Sequence, residues 1–265
     1  MIDLIKSYGA ENRGPKKSLG QHFLVDKDAL NLIIKYCNIE ETDLFLEIGA
    51  GCGVLTQILL EKGAAVEAIE IDEKLCDFLE RYLFYYSKLS IKNIDFLKYS
   101  IENEHVKIVG NLPYNRAASI LIHTINYIDK IKHLVLMFQK EVAERITSTP
   151  NKKSYGYLSV LIQYYFDIKP IATIRGNCFW PSTKVDSKVL LFIPKKTFIF
   201  DKANEKEFFK FVKDCFRLKR KTLRNNLLNY KNIDKLSGYL LNNLNVRAEE
   251  LSLDDFIYIY NKLNS

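Results

Sequence analysis

The tetrapeptide Asn111-Leu112-Pro113-Tyr114 follows the apolar run Val106 to Val109 and sets an amide, a ring-locked proline and a phenol at the end of a strand. These residue types suit an exocyclic amino group on an extruded purine. Such a nitrogen is a weak nucleophile because its lone pair is delocalised into the ring, and two oxygen acceptors can hold it in a less planar geometry. The Asn111 side-chain carbonyl and the backbone carbonyl of Leu112 or Pro113 are the candidate acceptors. Pro113 fixes the local φ, and Tyr114 offers a ring on which a base can stack. A site of this kind works by positioning and by dipoles aimed at the charge developing on nitrogen, with the proton lost to solvent afterwards. Taken alone, four such residues also describe a strand-ending turn with a packed tyrosine.

A second constellation lies upstream. In "LEIGAGCGVL", Gly49, Gly51 and Gly53 sit between a predicted strand and a predicted helix, where a chain without Cβ atoms can turn sharply and approach a ligand. The spacing is G-x-G-x-G rather than the dinucleotide fingerprint G-x-G-x-x-G. With Glu47 two residues before the first glycine, it resembles motif I of the class I methyltransferases, which use S-adenosylmethionine. Glu70 closes the next strand about 20 residues on, where a carboxylate can accept both ribose hydroxyls. Asp95 ends a third strand and can accept from the cofactor's adenine amino group, or act simply as a turn former or N-cap. Methyl transfer from a sulfonium needs no metal, and the five scattered cysteines, with no C-x-x-C pair, suggest neither a zinc site nor a disulfide framework.

The elements that must position these residues follow a regular alternation. Asp26 or Asp28 can cap a helix through Leu30, Ile33 and Ile34. "DLFLEI", "AAVEAIEI", "LSIKNI", "VKIV" and "HLVLMFQ" read as strands, separated by helical "VLTQILLEKG" (stopped by Gly63), "EKLCDFLERYLFYY" and "AASILIHTINYI" and followed by helical "KEVAERI". This is the signature of an α/β protein with a Rossmann-like, doubly wound, mostly parallel sheet. "SYGYLSVLIQYYFDIKPIATI" and "SKVLLFIP" add a helix and two strands. From about residue 200 only helices are predicted, in "EKEFFKFVKDCFRLKRKTLRNNLLNY", "IDKLSGYLLNNL" and "LDDFIYIYNKL". Residues 1–196, with a mobile basic segment over 1–25, are expected to form the catalytic domain, and 197–265 a small all-helical domain.

At 265 residues, 48% of them apolar, the chain can bury a full core, and its net charge of +7 suits a polyanionic partner without requiring one. It has neither a signal-peptide core nor an apolar run long enough for a membrane span, so a reducing cytoplasm is the expected compartment.

"KKSLGQHFLVD", "LEIGAGCG", "AIEID", "GNLPYN", "FQKEVAERI", "FWPSTKVDSKV" and "RKTLRNNL" occur in this order over nearly the whole chain. Together they resemble the small-subunit ribosomal RNA adenine dimethyltransferases. The resemblance implies transfer of two methyl groups from S-adenosylmethionine to N6 of each of two adjacent adenosines in the hairpin near the 3′ end of small-subunit rRNA. The implied partner is that rRNA within a 30S assembly intermediate; a monomer is the default expectation. Carried over by position, the cofactor contacts fall on His22, Leu24, Gly49, Glu70, Asp95 and Asn111, and Phe179 covers the target base opposite Tyr114. His22 stands where Asn is frequent, "NRAAS" replaces the usual N-I-S-T/S, and Thr183 stands where a second proline is common.

Arg217, Lys219, Arg220, Lys221 and Arg224, with Arg13, Lys16 and Lys17, are the expected phosphate contacts, orienting RNA rather than reading bases. Two rival readings share much of this pattern. One is a large-subunit rRNA adenine methyltransferase of macrolide-resistance type, which "GQHFL", "KVDSKV" and "RKTLRNNL" disfavour. The other is an assembly factor that binds pre-subunits and whose catalysis is dispensable.

Overall fold

The computed structural model describes residues 2–11, 14–16, 19–228, 230 and 245–264. In chain order the elements are α1 (Ile2–Ala10), β1 (Phe23–Leu24), α2 (Lys27–Cys37), β2 (Leu44–Ile48), α3 (Val54–Glu61), β3 (Ala65–Glu70), α4 (Glu73–Leu83), β4 (Leu89–Asn93), β5 (Val106–Asn111) and α5 (Ala117–Thr124). There follow β6 (Ile131–Gln139), α6 (Lys140–Ile146), α7 (Tyr157–Tyr165), β7 (Phe166–Ile174), β8 (Phe179–Trp180), β9 (Ser187–Pro194), α8 (Lys202–Cys215), α9 (Leu223–Asn226) and α10 (Leu253–Asn264). They form two units, Met1–Ala143 with Asp167–Pro194, and Glu144–Phe166 with Lys195–Ser265.

The first unit is built on a seven-stranded sheet in the order β4-β3-β2-β5-β6-β9-β7. Strands β2 to β6 pair in parallel and β9 runs antiparallel to β6, so the sheet is mostly parallel, as expected for an α/β methyltransferase fold. Its central strands are nearly continuous apolar runs because both faces are covered: Phe45, Val66, Ile108 and Leu134 are all essentially inaccessible. Asp26, rather than Asp28, caps α2 by accepting from Ala29 N at 2.8 Å. The glycine turn leaves β2 with Gly63 closing the next helix at φ +87, as the sequence predicts.

The N-terminal segment begins as a helix and not as a mobile opening. Leu4, Ile5 and Tyr8 form one buried face of α1, and the Tyr8 ring meets Phe23 and Phe78 edge-on at 5.7 and 5.3 Å.

The second unit differs from a contiguous 197–265 domain because residues 144–166 belong to it. Helix α7 is buried almost all round, through Leu158, Val160, Leu161, Ile162, Tyr164 and Tyr165. A helix with no polar face belongs at the centre of a helical cluster. Tyr164 and Tyr165 accordingly sit in an aromatic group with Phe198, Phe208 and Phe209. The long basic helix predicted after residue 205 is interrupted: α8 ends at Cys215 and a turn leads into α9. Buried Asn226 holds that turn, accepting from Leu218 N at 2.9 Å and donating to Leu218 O at 3.3 Å. The helix expected over "IDKLSGYLLNNL" lies outside the described residues.

Candidate active site

The parallel ladder brings two loops to the same edge of the sheet. Strand β2 ends at Ile48 and β5 at Asn111, and the strands are neighbours with Glu47 opposite Val109. The loop after β2 carries Gly49, Gly51 and Gly53 at φ +75, +56 and +79, a region that L side chains rarely adopt. A Cβ on Gly51 would lie 2.9 Å from the Phe23 ring, and one on Gly53 would strike Leu79. Gly49 and Gly51 line a cleft together with His22, Leu24, Glu70, Asp95, Asn111, Leu112, Pro113 and Tyr114. Gly53 packs behind it as the N-cap of α3.

Glu70, the last residue of β3, is 6% exposed. Its Oε2 accepts from Gly51 N and its Oε1 from Asp72 N, each at 3.0 Å. Burial raises its pKa above the ordinary carboxylate value, and the two amide bonds oppose that rise. Each carboxylate oxygen has a further lone pair, so the group can still take a pair of hydroxyl donors. Glu47 lies deeper, accepts from Thr56 Oγ1, and is pushed up to about 8 chiefly by burial.

Asp95 takes up its N-cap reading and also lies at the cleft wall. Its Oδ1 accepts from Leu97 N at 3.1 Å as the N-cap of a short 3-10 turn, and its Oδ2 pairs with Arg116 Nη1 at 3.0 Å at the cleft wall. Arg116 belongs to the "NRAAS" departure and was not among the predicted site residues.

Around the tetrapeptide, Asn111 Nδ2 donates to His22 O at 2.8 Å. Pro113 O already accepts from Arg116 N at 3.0 Å. Tyr114 is half-buried, its hydroxyl 3.0 Å from Ser187 Oγ and its ring stacked with His22 at 5.7 Å and 21°. Phe179 is 3% exposed, belongs to the buried core and pairs with cleft-lining Leu24 in the β1–β8 ribbon. An apolar ring beside Trp180 loses more water by joining that core than by facing an open cleft.

The expected phosphate contacts divide. Lys16 Nζ pairs with Asp72 Oδ1 at 2.7 Å while Gln21 Nε2 donates to Asp72 Oδ2 at 2.9 Å, tying the segment that carries His22 to the end of β3. Burial alone would raise the Asp72 pKa; the hydrogen bonds from Lys16 and Gln21 outweigh it and hold the carboxyl below its usual range. Arg13 and Lys17 lie outside the described residues. In the second unit, Arg217, Lys219, Arg220, Lys221 and Arg224 are all exposed on the α8–α9 turn and on α9, with Lys219 Nζ 3.2 Å from Lys153 O.

Sequence reasoning missed Gln21, Asp72, Arg116 and Ser187. Asp72 and Ser187 stood inside quoted motifs, "AIEID" and "KVDSKV", but nothing in their spacing shows what they bond. Among the described residues no group of three or more His, Cys, Asp or Glu side chains is arranged to hold a metal ion, and no helix is long and apolar enough to cross a membrane.

The profile of the ribosomal RNA adenine dimethylases matches residues 12–265. The ribosomal RNA small subunit methyltransferase A of Francisella tularensis subsp. novicida (strain U112) is 42% identical over 256 residues, covering 94% of this chain and 97% of that protein. Its counterpart from subsp. tularensis (strain WY96-3418) matches to the same extent. Among solved structures, a dimethyladenosine transferase from Plasmodium falciparum superposes with a TM-score of 0.79 at 27% identity, over 91% of this chain and 98% of that one. The 23S rRNA methyltransferase ErmE shares the fold, with a TM-score of 0.75 at 20% identity over 92% and 100% of the two chains. With a profile match running through both units and 42% identity to proteins of that class, the chain belongs to the ribosomal RNA adenine dimethylase family.

Proposed function

We propose that this chain dimethylates N6 of two adjacent adenosines in the 3′-terminal hairpin loop of small-subunit rRNA, using S-adenosylmethionine. The observation that carries the reading is the convergence of Glu70 and Asn111 on one cleft from the ends of β3 and β5, the two strands that flank β2. The residues fit the donor. Glycines at positive φ leave the cleft floor free of Cβ atoms, and Glu70 keeps lone pairs for two ribose hydroxyls. Leu24 and Asp95 line the same cleft, and Asp95 is the acceptor assigned to the adenine amino group. When bound, S-adenosylmethionine supplies a methyl group on a positively charged sulfur that leaves readily.

The chain's own residues do the rest. Asn111 Oδ1 and a backbone carbonyl accept from the two N–H groups of the target amine. Leu112 O is the better second acceptor, because Pro113 O is already engaged by Arg116 N. Tyr114 stacks on the base, and the proton leaves to solvent after transfer. The exposed basic turn of the second unit meets phosphates.

The small-subunit target is favoured over the large because the 42% identical relatives are named for the small subunit, whereas ErmE shares the fold alone. The rRNA is taken within a 30S assembly intermediate in the cytoplasm, by a monomer. Labelled methyl transfer to undermethylated small and large subunits, followed by mass spectrometry of the terminal small-subunit rRNA fragment, tests this. Two dimethylated adenosines in that fragment are expected; label on the large subunit alone would refute it.

A further inference from the structure

We propose that Arg116 reads the adenine of the methyl donor together with Asp95: the carboxylate accepts from the amino group, and the guanidinium donates to ring nitrogen N7 beside it. The inference rests on the S-adenosylmethionine reading above and adds a second polar group to the adenine end of that site.

Strands β3 and β4 are neighbours, and Ile94 N donates to Glu70 O at 3.1 Å, so the chain leaving β4 runs beside the residue that closes β3. Ile71, Ile94 and Phe96 line the cleft here, and Ile120 lines it from α5. Apolar walls suit the faces of a flat ring, whose edge then needs a few placed polar groups. Asp95 and Arg116 supply them as an ion pair, Oδ2 to Nη1 at 3.0 Å. Among the described residues lining the cleft, no other arginine and no lysine occurs.

Helix stability does not account for an arginine at this position. Arg116 is the N-cap of α5, makes no side-chain capping bond, and sets a cation at the helix end whose dipole favours anions. It is held from two sides instead, by Asp95 at the guanidinium and by Pro113 O, which accepts from Arg116 N at 3.0 Å. Asp95 is fixed in turn by Leu97 N, at 3.1 Å from Oδ1. Both carboxylate oxygens keep a further lone pair, and a guanidinium that holds its partner through one nitrogen can donate from another.

An acceptor and a donor side by side match the adenine edge that carries the N6 amine and N7, the edge that an Asn or Gln amide reads through two hydrogen bonds. A base with an oxygen in place of that amine would set it against the Asp95 carboxylate. The Arg116 and Asp95 side chains are 40% and 19% exposed, so a ring laid against them sheds water from the pair and strengthens both bonds.

Calorimetry with S-adenosylhomocysteine and its 7-deaza analogue, in which C–H replaces N7, tests this on wild type, Arg116→Ile and Arg116→Lys. Wild type is expected to bind the 7-deaza ligand about tenfold or more weakly, the loss of one hydrogen bond to a charged group. Arg116→Ile should bind S-adenosylhomocysteine about tenfold more weakly than wild type and distinguish the two ligands by no more than about twofold. Lysine keeps the charge without the planar fork, so Arg116→Lys is expected to fall between them. Each protein is its own reference for the ligand ratio, so a modest loss of stability in a variant leaves the comparison intact.

Equal affinity of wild type for both ligands, or a ratio that survives in Arg116→Ile, would overturn the proposal. Tighter binding of S-adenosylhomocysteine by Arg116→Ile would show that the arginine competes with adenine for Asp95, and would overturn it equally. A wild type that binds neither ligand would sink the donor reading itself. One that discriminates between them yet methylates no rRNA would sink the substrate assignment and leave the role of Arg116 standing.

Discussion

Asn111 Nδ2 donates to the carbonyl oxygen of His22 at 2.8 Å, which fixes the orientation of the amide and leaves Oδ1 as the end that a substrate amine can reach. In Asn111→Asp an oxygen replaces that N–H and faces the His22 carbonyl, so the side chain must turn. The single-turnover rate of methyl transfer is expected to fall about hundredfold or more, as for loss of other preorganised polar groups at a reacting centre. Subunit binding, measured by co-sedimentation, is expected to persist. A rate within about threefold of wild type would remove Asn111 from the chemistry.

Glu70→Ala takes away the acceptor proposed for both ribose hydroxyls and orphans the Gly51 and Asp72 amides. Hydrogen bonds to a charged group are worth about 1.5–3 kcal/mol each, so donor affinity is expected to drop by about a hundredfold or more. Calorimetry with S-adenosylhomocysteine reads the loss, and subunit co-sedimentation should be retained. Joint loss of both would count against a separable donor pocket and against the assembly-factor distinction.

Donor binding is expected to weaken in acid. Burial raises the Glu70 pKa in the free protein, so its carboxyl takes up a proton above the ordinary carboxylate range. Hydroxyl donors need the ionised form; binding therefore releases a proton, and affinity falls as pH drops through the raised pKa. Kd measured from about pH 8 to about pH 5.5 should rise in wild type and stay flat in Glu70→Gln. A flat wild-type profile would show that Glu70 does not face the donor.

Much of this arrangement was legible in the chain. Continuous apolar strands, glycine punctuation and a cap at Asp26 or Asp28 read into β2, α3, β3 and α2, because local periodicity and cap chemistry decide them. The gathering of Gly49, Glu70, Asp95 and Asn111 on one cleft was also readable, since parallel strands deliver their following loops to a common edge. What escaped was long-range. Residues 1–25 read as a mobile basic segment, and the helix at its start shows only once Phe23 and Phe78 are there to receive Tyr8. Helix α7 reads as one more helix within residues 1–196 until the aromatic cluster around Tyr164 claims it. The Lys16–Asp72 and Tyr114–Ser187 contacts join residues 56 and 73 positions apart, and no local pattern encodes them.

Gly51→Ala should damage the cleft twice. The added Cβ would lie 2.9 Å from the Phe23 ring, and φ +56 costs an L residue about 1–2 kcal/mol. A Tm lower by about 2–8 °C and weaker donor binding are expected. A variant with unaltered Tm and Kd would mean that the loop relaxes freely.

The basic turn between α8 and α9 is expected to act through charge alone. Removing Arg220, Lys221 or Arg224 singly, as Ala variants, should reduce the slope of log K against log salt for rRNA-fragment binding by about 0.7 each, the value for single-stranded phosphate contacts. The loss should be equal on unrelated RNA sequences. A slope unchanged in all three would exclude the turn from the RNA footprint.

Main-chain hydrogen bonding between β2 and β5, with Glu47 opposite Val109, sets the gap between donor pocket and acceptor amine. That spacing is a property of backbone architecture, indifferent to side-chain identity along either strand. Redirecting this scaffold to a different nucleophile is therefore a matter of rebuilding the turn that leaves Asn111, with the ladder beneath left as an unaltered chassis.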